Sequence, residues 1–102
     1  MLELRPNCEN CDKNLPPDST EACICTYECT FCVACVEGLL KNVCPNCGGG
    51  FTLRPIRPKT ARRMGVSLEH QPESKKRIHT KYSITEIREF SNSIKEIEPK
   101  NR

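Results

Sequence analysis

The apolar residues of this 102-residue chain fall into groups of different spacing, and each group predicts a different element. Near the C-terminus, Ile84, Ile87, Phe90, Ile94 and Ile97 recur at steps of three and four, which places them on one stripe of an amphipathic α-helix. Ser83-Ile84-Thr85-Glu86 reads as a capping box, with serine as N-cap and glutamate three residues on. Tyr82 and Ile87 stand where a hydrophobic staple would pack, and Pro99 is the expected stop. The predicted helix spans residues 83–98. At about 14 residues such a helix is marginal alone in water. Its stripe over 84–97 therefore needs a partner: the rest of the chain, a second copy through self-association, or another protein.

Upstream, Val36, Leu39 and Leu40 make one face of a short two-turn helix, expected to cover a small core with Leu15, Ile24 and Phe31. Phe51-Thr52-Leu53 follows three glycines and could add a short strand. Residues 54–82 show little apolar periodicity and contain Pro55, Pro58 and Pro72 among scattered basic residues. They read as an extended or disordered basic linker.

Composition limits how the first unit, residues 1–53, can fold. About 50 residues cannot bury enough apolar surface to be stable on hydrophobicity alone, and this chain has no tryptophan and only three phenylalanines. It has nine cysteines instead, all before residue 48. Eight form spaced pairs: Cys8-x2-Cys11, Cys25-x3-Cys29, Cys32-x2-Cys35 and Cys44-x2-Cys47. Eight soft ligands at short spacings match two tetrahedral, structural Zn²⁺ ions. Metal would then supply the missing stability, and the unit should be largely unfolded without it.

The surroundings of the pattern point the same way. Met1-Leu2-Glu3-Leu4-Arg5-Pro6 has no apolar core of a secretory signal, and no run approaches the roughly 18 apolar residues of a membrane span. A cytoplasmic protein with no membrane role is expected, and cysteines in a reducing compartment read as metal ligands rather than disulfides. An iron–sulfur cluster is the rival, but Cys29-x2-Cys32-x2-Cys35 lacks the Cys-Pro that would complete a ferredoxin run.

Two wirings are open. The first four ligands could take one ion and the last four the other, or the pairs could cross. Cys29, Cys32 and Cys35 lie too close together for a comfortable boundary between sequential sites, which favours crossing. Site one is then Cys8, Cys11, Cys32 and Cys35, and site two is Cys25, Cys29, Cys44 and Cys47. Cys23 could replace Cys25, but the shorter spacing to Cys29 favours Cys25 and leaves Cys23 a free thiol. In Cys44-Pro45-Asn46-Cys47-Gly48, proline fixes φ at the first turn position and glycine permits the positive φ that turns N–H groups toward sulfur.

The run Cys29-Thr30-Phe31-Cys32-Val33-Ala34-Cys35, followed by Val36-Glu37-Gly38-Leu39-Leu40 and Cys44-Pro45-Asn46-Cys47, resembles the second half of a RING finger. With the opening Cys8-x2-Cys11, the resemblance covers roughly residues 8–53. Cys29 stands where most RING fingers carry histidine. The resemblance implies a small metal-stabilised α+β fold: a cross-brace with two zinc sites, a short β-hairpin and one short helix, followed here by the basic linker and the C-terminal amphipathic helix. The opening residues 1–8 and the run Ile24-Cys25-Thr26-Tyr27-Glu28-Cys29-Thr30-Phe31-Cys32 also resemble a family of short cysteine-rich bacterial proteins filed only as a domain of unknown function. That likeness implies a fold and a source but no activity.

Charge separates the segments. Residues 1–53 carry a net −4, residues 54–82 carry +7, and residues 83–102 are balanced. Two Zn²⁺ on eight thiolates would take the first unit to about −8, so any nucleic-acid contact must come from residues 54–82. Arg54, Arg57, Lys59, Arg62 and Arg63 have no aromatic residues interleaved, and they read better as a solubilising segment. His70 and His79 are assigned no role.

Catalysis is not expected. Four cysteines per ion leave no open coordination position, no histidine lies near a cysteine, and Gly48-Gly49-Gly50 is not followed by a P-loop lysine. Ligase RING fingers usually carry an aliphatic residue where this chain has Glu9 and Asn10, often a tryptophan near the helix, and often a basic residue where Gly48 stands. Pro45 alone matches their contact surface. A zinc-binding protein-interaction module is the leading expectation, with a nucleic-acid accessory protein and a ubiquitin ligase as alternatives.

Overall fold

The structure is a computed structural model that describes residues 1–102. β1 (Ala22–Ile24) pairs antiparallel with β2 (Thr30–Cys32), setting Ala22 opposite Cys32, Cys23 opposite Phe31 and Ile24 opposite Thr30. The turn between them closes through Glu28, whose φ is 66° and whose N–H donates to the Cys25 carbonyl at 3.1 Å. β3 (Thr52–Leu53) adds to the free edge of β1, so the predicted hairpin becomes a three-stranded sheet of order β2-β1-β3. Phe31 is fully buried, with its ring edge-on to Phe51 at a centroid separation of 5.5 Å.

β2 runs directly into a single α-helical turn, α1 (Val33–Cys35), which continues as a π-helical turn over Val36–Leu40. The expected face is present: Val36 and Leu40 are buried and Leu39 is half-buried. Lys41 and Asn42 then both take positive φ, at 51° and 60°, and turn the chain toward Val43, which is buried.

α2 (Ile84–Ile94) begins with both halves of the capping box, Glu86 N–H to Ser83 Oγ and Ser83 N–H to Glu86 Oε1, each at 3.1 Å. It ends earlier than the sequence indicated. The chain leaves the helix at Lys95, and Glu98 is extended (ψ 142°) because the following proline disfavours helical geometry. Pro99–Asn101 forms a separate 3₁₀ turn. α2 lies against the π turn. Its buried face centres on Ile87 and Ser91, one turn apart, while Ile84, Phe90 and Ile97 of the predicted stripe are exposed. A buried carbonyl at the end of the π turn needs a donor, and the serine hydroxyl supplies it. No helix is long and apolar enough to cross a membrane.

Residues 54–82, read from the sequence as an extended or disordered linker, run as a strap held against the domain, with turns and an Arg63–Val66 bridge in its middle. The Arg54 guanidinium is buried and donates to the carbonyls of Arg5 (2.8 Å), Leu15 (3.2 Å) and Pro16 (3.0 Å). Arg57 donates to the carbonyls of Leu2 and Gln71, both at 2.6 Å. Asn7 exchanges two hydrogen bonds with the Ile78 backbone. The Thr80 N–H donates to the Glu9 carbonyl at 2.8 Å. The arginines were visible in the sequence, but these carbonyl partners lie 14 to 55 residues away and follow no local spacing.

Candidate metal centre

The same turn is built twice. In Cys8–Asp12, the Asp12 N–H donates to the Cys8 carbonyl (2.9 Å) and the Cys8 N–H to the Lys13 carbonyl (2.9 Å). In Cys44–Gly48, the Gly48 N–H donates to the Cys44 carbonyl (2.7 Å) and the Cys44 N–H to the Gly49 carbonyl (2.8 Å). The residue after each second cysteine is left-handed, Asp12 at φ 64° and Gly48 at φ 79°. Aspartate is among the few residues with a side chain that enter this region readily, and here its carboxylate is also held by Arg77 at 2.7 Å. Pro45 and Gly48 take the positions expected of them in the second turn.

These turns, together with β2 and α1, gather the cysteines. The sulfurs of Cys8, Cys11, Cys32 and Cys35 all lie within 4.8 Å of one another, as do those of Cys25, Cys44 and Cys47. Cys29 stands outside the second group at that distance; it is buried, and its carbonyl accepts from the Cys25 N–H at 3.2 Å. The first and third pairs therefore share one place, and Cys25 of the second pair joins the fourth pair in another. Cys23 joins neither group: it sits on β1 opposite Phe31 and Leu53, buried in the core. His70 bonds Ser67 Oγ at 2.9 Å, His79 lies 3.9 Å from Asp12, and neither is in a cysteine group.

The donor set can be tested against zinc. Four sulfurs at about 2.3 Å from a central ion form a tetrahedron with edges of about 3.8 Å. The Cys11 and Cys32 sulfurs, from opposite pairs, are 3.7 Å apart. The residues present fit the ion. Without a cation, burial pushes the Cys8, Cys29, Cys35 and Cys44 thiols above their ordinary value. At Cys11 burial also raises the thiol, but hydrogen bonds from the Lys13 backbone and from neighbouring cysteines outweigh it and leave the group lowered. Buried thiolates need a compensating charge, and a divalent ion at the centre of each group supplies it.

Hydrogen bonds to sulfur complete each group. The N–H of Tyr27 donates to Cys25 at 3.3 Å and that of Gly49 to Cys47 at 3.4 Å. Asn10 Nδ2 donates to Cys35 at 3.3 Å, and Asn46 Nδ2, in the second turn, donates to Glu9 Oε1 at 3.3 Å. Reading the cysteines alone misses these two asparagines. Their signal was present, because both turns spell Cys-x-Asn-Cys. Glu9, in the first turn, is also buried, with Oε2 accepting from Arg5 Nη1 (2.9 Å) and the Thr30 N–H (2.7 Å).

A relative in Rhizobium meliloti (strain 1021), described as "Uncharacterized protein R02474", is 64% identical over 58 residues, covering 57% of this chain and 69% of that protein. No solved structure matches the chain significantly. The family described as "Protein of unknown function (DUF1272)" matches residues 1–57, a stretch that contains all nine cysteines. With more than half of its length matched, and both cysteine groups inside that part, the chain belongs to this family.

Proposed function

We propose that this chain is a non-enzymatic zinc protein, in which two structural ions hold a small RING-like domain that binds another protein. The observation that carries the metal half is the packing of sulfurs from opposite pairs at 3.7 Å, the edge of a zinc tetrathiolate. Site one is Cys8, Cys11, Cys32 and Cys35. Site two is Cys25, Cys29, Cys44 and Cys47, of which Cys25, Cys44 and Cys47 lie within 4.8 Å of one another. Four thiolates per ion leave no position for water or substrate, so the ions hold the fold and do not activate a reagent.

The protein-binding half rests on the surface beside site two. An open groove of about 450 Å³ lies between the second cysteine turn and α2, lined by Pro45, Asn46, Tyr82, Glu89 and Phe90 among others. The nucleic-acid reading through residues 54–82 loses support, because Arg54, Arg57 and Arg77 are spent on internal carbonyls and Asp12. The ligase reading keeps only Pro45: Glu9 and Asn10 face Thr30 and Cys35 instead of offering an aliphatic contact. Native mass spectrometry with elemental analysis of the full chain tests the metal half. Two zinc ions per chain are expected, and iron, a single ion or none would overturn it.

A further inference from the structure

Glu9 lies inside the first cysteine turn, between Cys8 and Asn10, yet its side chain leaves that turn. It is 3% exposed. While Oε2 is held by Arg5 and the Thr30 N–H, Oε1 accepts from Asn46 Nδ2 at 3.3 Å. Asn46 lies in the second cysteine turn, at the place Asn10 holds in the first, between Pro45 and Cys47. A carboxylate rooted in one cysteine turn therefore reaches a side chain of the turn that carries two cysteines of the other group. The backbone follows the same route: the Glu9 N–H donates to the Thr30 carbonyl at 2.9 Å, in the strand that carries Cys32 and follows Cys29. A buried carboxylate is costly unless it is fully partnered, and here one of its partners exists only when the other turn is formed.

We propose that Glu9 is a positioning residue that makes metal loading at the two sites cooperative. This rests on the reading of the two cysteine groups as zinc sites. An ion at site one fixes the Cys8–Cys11 turn and with it Glu9. Glu9 then holds Asn46, and so the Cys44–Cys47 turn, in the geometry the second ion needs. By reciprocity, the second ion favours the first by the same factor. Crossed chain connectivity supplies some coupling of its own, and Glu9 supplies a separable part.

The test withdraws zinc stepwise from the full-length protein with a chelator and counts the two-, one- and zero-zinc species by native mass spectrometry. The unaltered protein is expected to pass from two to zero with a minor one-zinc species. Glu9→Ala and Asn46→Ala should make that species prominent, with the ratio of the two stepwise constants shifted about tenfold or more. Glu9→Gln keeps the shape but sets an amide against the Asn46 amide, so it covers the case in which Glu9→Ala does not fold, and it should shift the ratio in the same direction. An unchanged one-zinc share in Glu9→Gln and Asn46→Ala overturns the proposal. An unaltered protein that never holds two zinc ions overturns the two-site reading itself.

Discussion

Ser91, in the middle of α2, donates its hydroxyl to the Leu40 carbonyl at 2.7 Å across 51 residues of sequence. Both groups are buried. This bond, with Ile87 one turn earlier in the core cluster that includes Phe31, Leu40 and Cys44, fixes which face of α2 meets the cysteine-rich domain. Ser91→Ala removes the donor and leaves a buried carbonyl unpaired, a cost of about 1–3 kcal/mol. Chemical denaturation in excess zinc should show that loss, while the metal count stays at two. A midpoint equal to that of the unaltered protein would mean that α2 is held by other contacts.

Arg54 satisfies three carbonyls with one guanidinium, and no carboxylate neutralises it. Burial accordingly lowers its pKa from the ordinary arginine value. A lysine ammonium is a point donor and cannot span the same fork. Arg54→Lys should therefore cost more than 1 kcal/mol, and Arg54→Ala more again. Hydrogen exchange is the sharper readout, because protection should fall at Ile78 and Thr80, where the strap meets Asn7 and Glu9. Unchanged protection there would separate Arg54 from strap docking.

Gly48 stands at φ 79°, and a Cβ at this position would come within 3.7 Å of Phe90 and 3.8 Å of Ile94. The space is ordinary, so the penalty of Gly48→Ala comes from the backbone, about 1–2 kcal/mol. Asp12 occupies the same place in the first turn, so Gly48→Asn should recover part of the loss, since asparagine tolerates this region better than alanine. Equal stability of the alanine and asparagine variants would show that the left-handed turn carries no strain.

The response to pH follows from proton counting. Metal-bound cysteines carry no proton, whereas unfolded thiols near pKa 8.5 do, so the unfolded state binds more protons at neutral pH and stability rises with pH. Asp12 acts in the same direction lower down. Hydrogen bonding from Arg77 is the largest influence and holds its carboxyl below the ordinary value, so its contribution is present above that value and lost as pH falls through it. Denaturation midpoints in excess zinc should climb steadily between about pH 5 and 8. Chelation at pH 7 should abolish the cooperative transition. A midpoint indifferent to both would remove metal from the account of stability.

Much of the arrangement could be read from local pattern. The grouping of Cys8 and Cys11 with Cys32 and Cys35 follows from crowding along the chain, and the capping box of α2 is written in four consecutive residues. The buried face of α2 could not be read in the same way. Counting apolar residues put Ile84, Ile87, Phe90, Ile94 and Ile97 on one stripe and left its partner open, whereas the docking contact includes a serine whose value depends on a carbonyl 51 residues away. The strap was missed for the same reason. Arginine side chains that bind main-chain carbonyls leave no periodic trace, and a run of prolines and basic residues looks the same whether it is free or docked. Asn10 and Asn46 were legible as a repeated Cys-x-Asn-Cys spelling, but their partners were not: Asn10 donates to Cys35 and Asn46 to Glu9.

The order of the segments along the chain has a consequence for synthesis. All eight clustered or adjoining cysteines are translated by residue 47, ahead of the strap and α2. On the proposed zinc reading, an ion can be captured before residues 54–102 are made. Until α2 emerges, Val36 and Leu40 have no cover from Ile87, and the carbonyls of Leu2 and Glu9 have no donor from the strap. Before α2 and the strap are in place, the cysteine-rich part therefore has an open apolar face, which these later segments close.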